Sequence, residues 1–81
     1  MNAKHDLIAE LPEYKDKIHA LKTSNAHFAK LFDEYHEVNK QVLRIEEAIE
    51  TVSDQVAEAA KKRRMHLKDE LFKLLQAAAY I

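Results

Sequence analysis

Between Phe28 and Val52, eight apolar residues (Phe28, Leu31, Tyr35, Val38, Val42, Ile45, Ile49 and Val52) follow one another at alternating steps of three and four. No glycine anywhere in the 81 residues interrupts that spacing, and the positions between are mostly charged or polar. A period of 3.5 places all eight on one stripe of a helix, and such a stripe is covered by another helix. Zero glycines and a single proline, Pro12, exclude a fold built on tight turns, while alanine, leucine, lysine and glutamate favour helix throughout.

Taken in order, the chain divides into an N-terminal helical segment, residues 1–23, a central helix, 26–50, and a C-terminal helix, 54–79, within one domain. Asp6 is a candidate N-cap for a short apolar cluster of Leu7, Ile8 and Leu11. Pro12 suits the first turn of the next helix, where its missing N–H costs nothing, and Tyr14, Ile18 and Leu21 mark one face up to about Lys22. Thr23-Ser24-Asn25 are weak helix formers able to cap, which predicts a break before Ala26. Against a break stands the seven-residue phase of Tyr14, Leu21, Phe28, Tyr35, Val42 and Ile49, which a continuous helix would produce. Ser53 is a natural N-cap for the last helix, whose seam reads Ala57, Ala60, Arg64, Leu67, Leu71, Leu74, Ala78 and Ile81. Two arms of similar length around a short connection predict an all-α, coiled-coil-like antiparallel hairpin with a short N-terminal helix. A single core in so short a chain supplies only about 3–5 kcal/mol, so a helical-bundle dimer or higher oligomer is expected.

Charge leads to the same architecture. Asp33 to Glu50 holds six acids against two bases, and Lys61 to Lys73 holds six bases against two acids. Folding at residue 52 would set Glu37 near Lys68, and Glu46 and Glu47 near Lys61 and Lys62. A two-chain arrangement would satisfy the same charges. Exposed pairs are worth only about 0.2–1 kcal/mol each, so they select partner and register more than they stabilise.

Chemistry is hard to find. Asp33 and His36, and His66 and Asp69, have the carboxylate–histidine step of di-metal bundle sites, but with Tyr35 and Val38 inward Asp33 and Glu37 point outward and His36 lies at the edge, so the ligands do not converge in the core. His5, His19 and His27 share no ligand spacing, no serine or cysteine is paired with a base, and cysteine is absent. No catalytic residue, cofactor or metal is expected. Lys61-Lys62-Arg63-Arg64 is a candidate basic patch, yet four consecutive helical residues fan around the helix and no aromatics are interleaved for base stacking. Nucleic acid is therefore the alternative reading and protein association the main one. The segment from Leu71 to Ile81 is apolar except for Lys73 and Gln76, and Phe72 and Leu75 form a second stripe. That stripe is either covered by Tyr14, Ile18 and Leu21 or is a candidate face for a partner. With a net charge of −1, no long apolar run and no secretory leader, the expectation is a cytoplasmic protein without membrane attachment. Lys68-Asp69-Glu70-Leu71 spells a retention signal but is internal, where it is not read.

The blocks Leu31-Phe32-Asp33-Glu34-Tyr35-His36-Glu37-Val38-Asn39-Lys40, Arg44-Ile45-Glu46, Lys61-Lys62 and His66-Leu67-Lys68-Asp69-Glu70-Leu71 occur in that order. Together with Pro12-Glu13-Tyr14 and His19-Ala20-Leu21-Lys22, they resemble the YdcH family of small bacterial proteins. The resemblance implies a short cytoplasmic coiled-coil-forming protein whose biochemical role is not established, and it carries no catalytic residues. The association seam expected from the residues themselves is Phe28, Leu31, Tyr35, Val38, Val42, Ile45 and Ile49 against Leu67, Leu71 and Leu74. Its partners are a second copy and an unidentified protein.

Overall fold

The computed structural model describes residues 6–78; His5, Ala79, Tyr80 and Ile81 lie outside the described residues. Every described element is helical: α1 (Leu7–Glu10), a 3-10 turn (Pro12–Tyr14), α2 (Lys15–Ser24), α3 (Ala26–Glu46) and α4 (Asp54–Ala77). Local chemistry explains most of the boundaries. Asp6 caps α1 by accepting from the Ala9 N–H at 3.4 Å, and α1 stops where Leu11 turns out of helical geometry ahead of Pro12. The proline opens a 3-10 turn before the α-helix proper begins at Lys15, three residues later than the sequence suggests. Asn25 is extended (φ −134°, ψ 107°), and its Oδ1 accepts from the Phe28 N–H at 3.0 Å. Thr23 and Ser24, in the last turn of α2, donate their hydroxyls back to the Ala20 carbonyl. A real break therefore separates α2 from α3. Ser53 caps α4 through the Val56 N–H at 3.2 Å.

The end of α3 departs from expectation. The helix stops at Glu46, four residues before the expected Glu50, because Ala48 takes a left-handed conformation (φ 59°). The Ile49 N–H then bonds the Arg44 carbonyl at 2.9 Å and the Ala48 N–H bonds that of Ile45 at 3.2 Å. This is the Schellman pattern of helix termination, with alanine in the place where glycine usually stands. Its consequence is that Ile49 leaves the seam: it is 70% exposed, which corrects its assignment to the buried stripe.

Helices α3 and α4 pack along each other, and α2 and α1 lie against them as a third layer. From α3 the core takes Phe28, Phe32, Tyr35, Val38 and Val42, and from α4 Ala60, Leu67, Leu71 and Leu75. Ile18, Leu21 and Leu7 close it from the N-terminal side, and Leu31, Ile45 and Leu74 are only half-buried. The buried stripes are thus rotated from a strict two-helix seam toward Phe32 and Leu75, because those sides meet the third layer. A polar residue, Asn39, is buried among them, and its Oδ1 accepts from the Arg64 guanidinium at 3.3 Å. That bond is how an arginine occupies a seam position without stranding its charge.

Candidate association site

The candidate site consists of the charged faces of α3 and α4 and the connection between them. The charge pairs expected across the two helices do not form. Lys68 is bonded to Glu10 of α1, not to Glu37, and Glu37 lies against Lys40 one turn along its own helix at 3.8 Å. Glu46 and Glu47 make no ion pair, and neither do Lys61, Lys62 or Arg63, among the described residues. Glu37, Glu46, Glu47, Lys62 and Arg63 are exposed, whereas Arg64 reaches Asn39 and Lys68 reaches Glu10. Glu46 and Glu47 on one side and Lys62 and Arg63 on the other therefore remain open on the surface of one chain.

The four basic residues divide into two kinds. Lys62 and Arg63 are exposed, whereas Lys61 and Arg64 are half-buried. Lys61, Lys62, Arg64 and Lys68 line one side of a groove of about 490 Å³, together with Met65, and Tyr35 also borders it. Two carboxylates, Glu10 of α1 and Glu58 of α4, also line it, and Glu10 is engaged with Lys68. Burial is the main cause that pushes the Tyr35 hydroxyl up to about 12, with nearby Glu10 adding to it and Arg64 opposing. Tyr35 is accordingly neutral at every physiological pH.

Phe72 and Leu75 do not form a free face. Leu75 is wholly buried, its carbonyl accepts from Lys17 Nζ at 3.4 Å, and Phe72 meets Tyr14 edge to face at 5.8 Å between ring centres. The N-terminal layer covers this stripe in the same chain. Among the described residues, the large apolar side chains left in solvent are instead Ile49, Val56 (45% exposed) and Met65 (63% exposed). Ile49 and Val56 flank the α3–α4 connection, and Met65 borders the basic groove.

His36, singled out in the sequence by its step from Asp33, is half-buried against Phe32. Its ring lies 4.4 Å from that of Phe32, its Nδ1 is 3.6 Å from Asp6 Oδ1, and its Nε2 is buried with no hydrogen-bond partner. Burial lowers its pKa from the ordinary value, against the pull of Asp6. Asp33 is exposed, and no group of three or more His, Asp or Glu side chains able to hold a metal occurs among the described residues. Phe32 and Asn39 were missed; the four-residue step from Phe28 to Phe32 was the available signal for the first.

Residues 28–75 match the family described as Protein of unknown function (DUF465), a span that runs from α3 through the connection to α4. The chain belongs to this DUF465 family. It is also 35% identical over 65 residues to the Uncharacterized protein YdcH of Escherichia coli (strain K12), covering 80% of this chain and 88% of the relative. The protein of the same name from Shigella flexneri matches to the same extent. The resemblance read from the ordered sequence blocks is thereby established. No solved structure matches the chain. No described helix is long and apolar enough to cross a membrane.

Proposed function

We propose that this member of the DUF465 family is a non-enzymatic cytoplasmic protein that works by helical association. Its α3–α4 pair acts as a coiled-coil-like antiparallel hairpin that joins a second copy of itself and, in that form, other proteins. One observation carries the reading: Asp33 to Glu50 holds six acids against two bases and Lys61 to Lys73 six bases against two acids, yet no ion pair joins these two segments among the described residues. Two copies related by a two-fold axis can set each acidic face on the other's basic face, which is self-complementary by construction. The test is thermal unfolding followed by circular dichroism over a wide range of protein concentration. Association raises the melting temperature with concentration, and added salt weakens that dependence. A melting temperature independent of concentration would dispose of the proposal.

A second reading rests on the alignment of Lys61, Lys62, Arg64 and Lys68 along one groove. Cations tracking a groove are what a phosphate backbone requires. That reading predicts RNA or DNA binding that falls steeply with salt and is lost when Lys61, Lys62 and Arg64 become alanine. No mobility shift at low salt eliminates it.

A further inference from the structure

The connection between α3 and α4 is not a passive linker. A helix continued past Glu46 would return Ile49 to the apolar seam, four residues after Ile45. The left-handed Ala48 prevents this and turns Ile49 out into water. A non-glycine residue in that conformation is held against its own preference, so the surrounding bonds must fix it. They do: Arg44 accepts from the N–H groups of both Ile49 and Glu50, and its Nε bonds Glu50 Oε1 at 3.0 Å. The result is an exposed apolar knob, Ile49, preceded by Glu46 and Glu47, two carboxylates that make no ion pair among the described residues.

The opposite surface exists on the same molecule. The groove along α4 presents Lys61, Lys62 and Arg64 beside Met65, a flexible apolar side chain that is 63% exposed. We infer that the Glu46–Glu50 knob of one chain docks in the Lys61–Met65 groove of a second copy. Glu46 and Glu47 then meet Lys61 and Lys62, and Ile49 packs on Met65.

The arrangement closes on itself. Lys61 to Met65 lies roughly 10–17 Å along α4 from its start, at 1.5 Å per residue. Two chains laid antiparallel with their connection ends overlapping by that length place each knob at the other's groove through one two-fold axis. Glu10 and Lys68, already bonded within the chain, stand at the far end of the groove and bound the docking site.

This inference rests on the proposed self-association but names its contact, and the two fail separately. Sedimentation equilibrium of the full chain is compared with Glu46→Lys/Glu47→Lys, with Lys61→Glu/Lys62→Glu, with their equimolar mixture, and with Ile49→Ser. All these positions lie on the surface or at the groove edge, and circular dichroism verifies that each variant keeps its helix. If the helix is lost, Glu46→Gln/Glu47→Gln replaces the reversal, with the same loss expected. Each charge-reversed chain alone and Ile49→Ser should dimerise at least about tenfold more weakly, and the mixture should recover a heterodimer. A native dimer that the reversals and Ile49→Ser leave unchanged overturns the knob and keeps self-association. Failure of the mixture to recover overturns the charge pairing and with it the docking. A native chain that stays monomeric overturns both.

Discussion

Ala48→Gly is expected to stabilise this protein, although glycine is ordinarily the poorer choice in a helical chain. Ala48 holds φ at 59°, where a residue with a Cβ costs about 1–2 kcal/mol. Glycine removes that cost but returns roughly 0.4–1 kcal/mol through the larger conformational freedom of the unfolded chain. The difference favours the variant by about 1 kcal/mol, since no side-chain packing is lost at an exposed position. For a domain of this size that corresponds to a rise of about 4–8 °C in melting temperature. Thermal and urea unfolding monitored by circular dichroism at one fixed concentration would measure it, and an unchanged urea m-value would show that stability alone had moved. Ala48→Val should shift the midpoint the other way, because a β-branched side chain fits the left-handed region worse than alanine. If glycine lowers the midpoint while valine leaves it unchanged, the connection is not held as described.

Two further outcomes follow from the core. Leu75→Ala should cost about 2–5 kcal/mol, the range for truncating a fully buried leucine, and chemical denaturation would measure it. A change below about 0.5 kcal/mol would mean that Leu75 faces outward. His36 gives a pH signature: burial holds its pKa below the unfolded value of 6.5, so the folded state resists protonation that the unfolded state accepts. Stability is therefore full above pH 6.5 and declines as pH falls from there through the lowered folded-state pKa. Asp6 and Asp33 moderate the effect, while Lys22 and Lys40 add to it. Melting temperatures from neutral pH to about pH 5 should fall for the native chain and fall less for His36→Leu; equal slopes would refute the assignment.

The helical class was legible because nothing in the chain contradicts it: no glycine, one proline, and caps where the apolar period is interrupted. Asn25 and Ser53 act through their side chains, so composition and position announce them. The early end of α3 was illegible for the opposite reason. Its termination is a backbone conformation at Ala48, and alanine is the strongest helix former, so no local preference marks the stop. The same gap displaced Ile49 from core to surface. The third layer was half visible: Tyr14, Ile18 and Leu21 were recognised as a stripe able to cover Phe72 and Leu75, but sequence weighed that evenly against a partner. Rotation of the α3 stripe to include Phe32 and Asn39 follows from that layer and needed it to be seen. The charge segments were read correctly as segments, while the pairs assigned to them were not. Side-chain direction depends on which face packing chooses, and Glu46, Glu47, Lys61 and Lys62 form no ion pairs with one another.

The most direct measurement for the account as a whole is the mass of the native assembly by sedimentation equilibrium across a concentration and salt series. Association through opposed charged faces predicts a mass that climbs from the 9.4 kDa of the single chain toward twice that value, and declines again as salt is added. A constant 9.4 kDa under every condition would contradict it.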